Sequence, residues 1–193
     1  EIICDHIYQK IKRDDPASLR SVFYDLSSTT FSGSKCLLVK WGHCKEGFKN
    51  HVVLALVINR DGLPFYWEVL PGCTTDSNTI VWLLERLNKR FTNLETTLIF
   101  DRGMVSDNNL CCLETAEVKY ITAMDRNQIE GITGIDFEQF KHLESDKVEK
   151  QARKLPKFKM LNPKTTYYRE IKVEANRRYI LCFNPQLFKD QQK

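Results

Sequence analysis

No apolar run in this chain approaches the ~18 residues that mark a membrane span. Its first residues, Glu1-Ile2-Ile3-Cys4-Asp5, lack the basic-then-apolar order of a secretory leader. There is no initiator Met, and the last residues, Gln191-Gln192-Lys193, form no terminal motif, so the chain is expected to be a piece of something longer. No Cys-x-x-Cys pair occurs among the seven cysteines, Cys4, Cys36, Cys44, Cys73, Cys111, Cys112 and Cys182. That argues against a zinc ribbon. His43 beside Cys44, with His51 nearby, is at most a partial metal site and reads as loop residues and reduced core thiols. Scattered, reduced thiols in odd number fit a cytoplasmic protein. Internal repeats and low-complexity tracts are absent too. What remains is an ordinary globular composition, and 193 residues suit one domain or one domain with an appendage.

The charge is unevenly spread. Residues 147–193 carry 13 Lys or Arg against four Asp or Glu, whereas residues 1–146 carry 16 against 21. The net charge of +4 is therefore a basic tail on a mildly acidic body. A tail of that kind suits either a polyanion partner or a solvated surface.

Periodicity divides the chain into a lead-in and two regions. Residues 1–19 are polar, with Ile3, Ile7 and Ile11 at helical spacing before the Asp14-Asp15-Pro16 turn. Ser21 to Leu26 reads as a first strand, followed by a hydroxyl-rich loop from Ser27 to Ser34. Cys36 to Trp41 reads as a short strand before a polar loop through Asn50. His51 to Ile58 is the most apolar run and a buried strand candidate. Asp61-Gly62 then marks a hairpin turn into Leu63 to Leu70. Thr74-Thr75-Asp76-Ser77 offers N-caps for a helix whose Ile80, Leu83, Leu84, Leu87 and Phe91 form one apolar stripe. A strand ending at Asp101 follows, then a helix capped by Ser106-Asp107, then a strand from Val118 to Ala123. From residue 127 the chain turns basic and irregular, with an expected hairpin of Thr166 to Val173 and Tyr179 to Phe183.

Strand, strand, strand, helix, strand, helix, strand is the order of a ribonuclease H-like α/β sheet. The expected division is 1–19 lead-in, 20–126 core and 127–193 a β-rich insertion region. In that topology the first and fourth long strands lie parallel and adjacent. Asp25, in Val22-Phe23-Tyr24-Asp25-Leu26, and Asp101, in Leu98-Ile99-Phe100-Asp101-Arg102-Gly103, would then meet at the strand ends. Singly, each can be a strand-ending Asp that caps a turn. Together, two carboxylates repel, and a divalent metal between them is the usual remedy.

Several ordered segments carry a resemblance. They are Tyr24-Asp25-Leu26-Ser27-Ser28-Thr29, Trp41-Gly42-His43-Cys44-Lys45, and Val53 through the Asn59-Arg60-Asp61-Gly62-Leu63-Pro64 turn. Further on come Glu68-Val69-Leu70-Pro71-Gly72-Cys73-Thr74-Thr75-Asp76-Ser77 and Ile99-Phe100-Asp101-Arg102-Gly103-Met104. In these, over residues 20–126, the chain resembles the DDE transposases of bacterial insertion sequences, in the group with a β-rich insertion between the second and third catalytic acids. The resemblance implies metal-dependent DNA cleavage and strand transfer, with Asp25 and Asp101 as the first two acids and Mg²⁺, or Mn²⁺ as substitute, in a two-metal site. It also implies DNA partners, self-association in a synaptic complex when full length, and no membrane.

The family's third acid is a glutamate near a tyrosine, arginine and lysine set. Glu144, Glu149, Glu170 and Glu174 lack those neighbours, so the third acid is expected beyond Lys193. Arg102 either contacts a phosphate or pairs with a surface acid. Lys40, Lys45 and Lys49 flank a loop near the site, and Lys154, Lys157, Lys159, Arg177 and Arg178 are the backbone-binding candidates of the tail. Trp41, Trp67 and Trp82 read as core rather than base-stacking residues, and Asp76 as a helix cap rather than a group that orients a ligand. Two alternatives stand beside the transposase: a non-catalytic DNA-binding or assembly fragment of a decayed or domesticated relative, and another ribonuclease H-like nuclease.

Overall fold

The computed structural model describes residues 2–33, 35–76, 79–91, 95–124, 126–129, 132, 135–162, 166–172 and 177–192. The expected cap Ser77, the late acid Glu174 and the turn at 174–176 lie outside the described residues. The chain forms two compact units, Glu1–Asp125 and Arg126–Lys193.

The first unit is a six-stranded mixed sheet with helices on one face. Its elements are α1 (Ile2–Asp14), β1 (Ser21–Thr30), β2 (Lys40–Cys44), β3 (Gly47–Asn59), β4 (Pro64–Pro71), α2 (Thr79–Arg90), β5 (Thr97–Phe100), α3 (Asp107–Thr115) and β6 (Lys119–Thr122). β3 lies between β1 on one edge and β2 and β4 on the other; β1, β5 and β6 then run parallel. This is the ribonuclease H-like order, with the small strand β2 added.

Alternation along the strands decides which face is covered. Val22, Tyr24 and Leu26 of β1, Val53, Ala55 and Val57 of β3, and Leu98 and Phe100 of β5 share one buried face. Against it pack Ile80, Leu83 and Leu87 of α2, Leu110 and Leu113 of α3, and Tyr8 and Ile11 of α1. The lead-in helix is thus part of this core. The Tyr8 and Phe91 rings pack at a tilt with centroids 4.2 Å apart, and Asp5 pairs with Arg90 at 2.7 Å. The opposite face shows Phe23, Val69 and Ile121 to solvent.

The expected Asp-Gly turn forms between β3 and β4. Gly62 takes a left-handed φ of 84° that a Cβ would strain. The buried Asn59 closes the turn by accepting from the Asp61 and Leu63 amides and donating to Ser18 Oγ. Ser106 caps α3 as expected, accepting from the Asn109 amide at 3.2 Å.

Two strands are longer than the pattern suggests. β1 does not stop at Leu26: Ser27 to Thr30 pair with Leu54 to His51, so the hydroxyl-rich stretch is strand rather than loop. β3 starts at Gly47, four residues before its apolar run, and pairs there with β2. The short strand itself is Lys40–Cys44 rather than Cys36 to Trp41. In each case polar residues take strand geometry because a neighbour supplies backbone partners, a long-range contribution invisible to local hydropathy.

The second unit holds the antiparallel sheet β7 (Lys159–Asn162), β8 (Thr166–Lys172) and β9 (Arg178–Phe183), with α4 (Arg126–Ile129), α5 (Glu138–Lys141), α6 (Val148–Ala152) and α7 (Pro185–Gln191). β8 and β9 are the expected hairpin. A small core of Val148, Ala152, Leu155, Tyr167 and Phe183, flanked by Phe140 and Phe188, holds it together.

Candidate active site

Asp25 and Asp101 are brought side by side by strand register. β1 and β5 pair in parallel, and the last pair is Tyr24 with Phe100. Each of these is followed directly by the aspartate, so the two carboxylates leave adjacent strands ~4.8 Å apart. Tyr24 and Phe100 turn into the core; alternation therefore sends Asp25 to the uncovered face, where it is exposed, as is Asp101. Asp25 sits in mid-strand, not at a strand end. It reaches the edge of the site because β5 is short, while β1 continues along β3.

Neither carboxylate is spent on structure. Asp101 precedes a 3₁₀ turn, Arg102–Met104, but its side chain makes no capping bond; only its backbone oxygen is used, accepting from the Met104 amide at 3.1 Å. Neither Asp25 nor Asp101 has an ion-pair or hydrogen-bond partner for its side chain among the described residues. Arg102 is exposed and likewise unpaired there, so no surface acid claims it.

A third acid faces the same corner. The carboxylate of Asp76 lies against Gly103: a Cβ on that glycine would sit 3.2 Å from Asp76 Oδ2 and 4.0 Å from Asp101 Oδ2. The sequence pattern makes Asp76 a cap for the next helix. Its backbone oxygen does accept from Thr79 Oγ1 at 2.8 Å, which leaves the carboxylate directed elsewhere. Its placement depends on how the β4–α2 connection folds back on the β5 end, and a local capping signal hides it.

Beneath the site lies Tyr24, 2% exposed. Burial pushes its phenol up to about 12; the nearby Thr79 hydroxyl opposes this, and the negative charges of Asp76, Glu68 and Asp25 add smaller upward pushes. Thr79 is committed to the Asp76 carbonyl, and the Tyr24 hydroxyl has no hydrogen-bond partner of good geometry among the described residues. Tyr66 is raised by burial too, and by its 2.8 Å bond to Glu68, which also meets Arg86 at 3.4 Å. A phenol whose folded value exceeds its unfolded value of 10 contributes stability that is complete below pH 10 and disappears as pH rises through about 12. Tyr24→Phe is therefore expected to lessen the loss of melting temperature between pH 9.5 and 11.5. Its melting temperature at pH 7 should match or exceed wild type, because no good bond is lost. Parallel melts of the two proteins that lose stability equally at high pH would show that the fold does not raise the Tyr24 pKa.

The lysine candidates separate by context. Lys45 lies at the β2–β3 turn, where its amide donates to Ser28 Oγ at 3.2 Å, tying that turn to β1 three residues beyond Asp25. Lys49 pairs with Glu46 at 2.9 Å. In the second unit Arg178 makes a two-pronged contact with Glu170, at 3.0 and 3.2 Å, so its charge is partly neutralised. Lys154, Lys157 and Lys159 are exposed, and none of them has an ion-pair partner among the described residues. Glu144, Glu149 and Glu170 all hold basic partners in that unit, Lys147, Lys189 and Arg178 respectively. Trp41 departs from expectation outright. It is 69% exposed, on the β2–β3 ribbon rather than in the core. Trp82 does pack against the core, with Arg86 4.4 Å from its ring.

The sequence matches no protein-family model and no curated protein. In fold the chain is similar to solved transposase structures. The catalytic domain of Mos1 mariner transposase matches 80% of this chain and 85% of that one, at 15% identity and a TM-score of 0.40. The Mos1 strand transfer complex matches 63% of this chain and 40% of that one, at 19% identity and 0.40. A piggyBac transposase synaptic complex with hairpin DNA matches 92% of this chain and 38% of that one, at 12% identity and 0.44. The chain spans about two-fifths of the length of the Mos1 paired-end and strand-transfer proteins. At such identities the weight falls on strand order and register rather than on these likenesses.

A divalent cation fits the donor set. Two exposed carboxylates with no other partner, on neighbouring parallel strands, offer the hard oxygen ligands that Mg²⁺ or Mn²⁺ takes alongside several waters. Among the described residues no group of three or more His, Cys, Asp or Glu is arranged to hold a metal. None of the described helices is long and apolar enough to cross a membrane.

Proposed function

We propose that this chain is the catalytic core of a DDE-type DNA transposase of the insertion-sequence group with a β-rich insertion, acting on DNA with Mg²⁺ or Mn²⁺. The observation behind the reading is the β1–β5 register, which sets Asp25 beside Asp101 on an open sheet face with neither carboxylate otherwise engaged. The ordered motifs around both aspartates give it chemical direction. Asp25 and Asp101 hold the cation, and Asp76 adds negative charge beside them. A bound divalent ion would polarise a scissile phosphodiester and lower the pKa of an attacking water. Arg102, next to Asp101, lies where it can meet a phosphate, and Lys45 approaches from the ribbon turn. Lys154, Lys157 and Lys159 are the best backbone contacts of the second unit, with Arg177 and Arg178 as lesser members there and Lys49 as a lesser one in the first unit.

A non-catalytic DNA-binding or assembly relative is the second reading, and both readings are compatible with the lack of a three-ligand group among the described residues. Either way the chain itself is expected to cleave little DNA and to bind duplex through phosphates. Fluorescence anisotropy with a labelled duplex should show affinity falling steeply between about 50 and 200 mM salt. Replacing Lys154, Lys157 and Lys159 together by alanine should weaken binding and reduce the salt slope by roughly one unit per lysine. Failure to bind duplex at the lower salt would defeat both DNA readings.

A further inference from the structure

The β2–β3 ribbon displays aromatic rings that the catalytic reading does not use. β1 last pairs with β3 at Thr30 and His51, and the Phe31 amide still donates to the Asn50 carbonyl, so among the described residues Gly47 to Lys49 have only β2 as a ladder partner. On this two-stranded ribbon Trp41 faces Asn50, and His43 faces Phe48. Opposite and alternate residues share a face, so Trp41, His43, Phe48 and Asn50 form one surface. Trp41 is 69% exposed and Phe48 66%. The His43 ring meets Phe48 edge-on at 5.4 Å and 77°, which fixes the Phe48 plane.

The other face anchors the ribbon. Cys44 and His51 are buried there, Cys44 Sγ donates to the Gly47 carbonyl, and a Cβ on Gly42 would come within 3.3 Å of His51 Cε1. The display of the aromatics therefore follows from how the ribbon is seated. Lys45 is exposed at the turn, and Lys40 and Lys49, which the register sets on the anchoring face, are exposed at the ribbon's margins; the neighbouring acid Glu46 is held by Lys49. Solvent-facing rings bordered by net positive charge match an anionic, flat-ringed ligand better than an apolar protein surface. The Lys45–Ser28 bond places the ribbon turn against the strand that carries Asp25.

We propose that the outer face of the β2–β3 ribbon is a stacking platform for unpaired bases of a DNA strand, with Trp41 and Phe48 as the stacking rings and Lys45, at the ribbon turn, on its phosphates. The inference rests on the DNA-processing reading above and adds to it a preference for unpaired strand at a defined surface. Bases stack on aromatic rings without regard to sequence, so the platform holds a strand rather than reads it.

The test compares a labelled oligo-dT of about 20 nucleotides with a duplex of equal length, using the full chain. Trp41→Ala and Phe48→Ala should each lower single-strand affinity by about fivefold to a hundredfold, with duplex affinity changed by less than about twofold. Trp41→Phe should keep most of the affinity but lose the quenching of tryptophan emission that accompanies stacking on Trp41. Unfolding of an alanine variant would show in its thermal melt, and the Trp41→Phe emission readout then decides. Equal single-strand affinity for wild type and both alanine variants overturns the platform while leaving duplex binding intact. So does quenching that survives in Trp41→Phe. Concentration-dependent self-association that the alanine variants abolish would assign this face to a second copy of the chain instead. A wild type that binds neither DNA fails the underlying functional reading, and the platform with it.

Discussion

Asparagine at position 25 or 101 should remove about half or more of the thermal stabilisation that Mn²⁺ gives the chain, without lowering its melting temperature in a chelator. The two halves of this result have one cause. Asp25 and Asp101 leave adjacent parallel strands directly after the last registered pair, and neither carboxylate has a protein partner among the described residues. With no metal, two like charges on neighbouring strands can only repel. Removing one charge relieves that repulsion and breaks no bond, so the metal-free variant should melt at or slightly above wild type. With metal the sign reverses. A ligand bound only to the folded state stabilises by RT ln(1 + [L]/Kd), about 2.7 kcal/mol at a hundred times Kd. An amide oxygen in place of a carboxylate is expected to weaken binding at least tenfold, and stabilisation at a fixed Mn²⁺ concentration falls with it. Asp76→Asn should lose less, because Asp76 reaches the site from beyond Gly103 rather than from the paired strands. Calorimetric titration and melts with rising Mn²⁺ measure both halves. Wild-type metal affinity in both Asp25→Asn and Asp101→Asn would remove these residues from any metal site.

How far the site is legible in the sequence depends on the range of the interaction involved. The Asp25–Asp101 pair can be read because two local signals, apolar runs each next to an aspartate, feed a topological rule about parallel strands. Asp76 escapes such a reading because Thr74-Thr75-Asp76-Ser77 is a strong local cap pattern, whereas its carboxylate is directed by a fold-back to Gly103. Trp41 is misplaced in the core for a related reason. A Trp-Gly-His-Cys strand pattern says that two faces differ but not which one meets the core, and here Cys44 is buried while Trp41 is exposed. That choice is made by where β1 stops pairing with β3, far away in sequence. The basic tail shows the same limit in charge. Composition counts Arg178 and Lys154 equally, but the cross-strand partner Glu170 neutralises the first and leaves the second free.

Gly72→Ala should be among the most damaging single-methyl additions to the first unit. β2 and β4 share one edge of β3, β2 pairing with Gly47 to His51 and β4 with Val52 to Ile58. Gly72 lies where one hands over to the other, its amide donating to the Leu38 carbonyl at 3.0 Å. A Cβ there would stand 2.2 Å from the His51 carbonyl oxygen and 3.1 Å from that of Lys40. Both obstacles are backbone within a ladder, so no side chain can swing away, and relief requires parting β2 or β4 from β3. Overpacking of this kind costs about 1–3 kcal/mol and more where backbone must move, or roughly 2–12 °C in a chain of this size. Gly47 is the natural control. Its φ of 92° resists a side chain, yet nothing lies within 4 Å of its Cβ position. Gly47→Ala thus carries only the conformational cost, about 1–2 kcal/mol. Thermal melts followed by circular dichroism should rank wild type above Gly47→Ala and Gly47→Ala above Gly72→Ala. If Gly72→Ala melted with wild type, the tight handover between β2 and β4 would be wrong, and with it the seating that turns Trp41 and Phe48 outward.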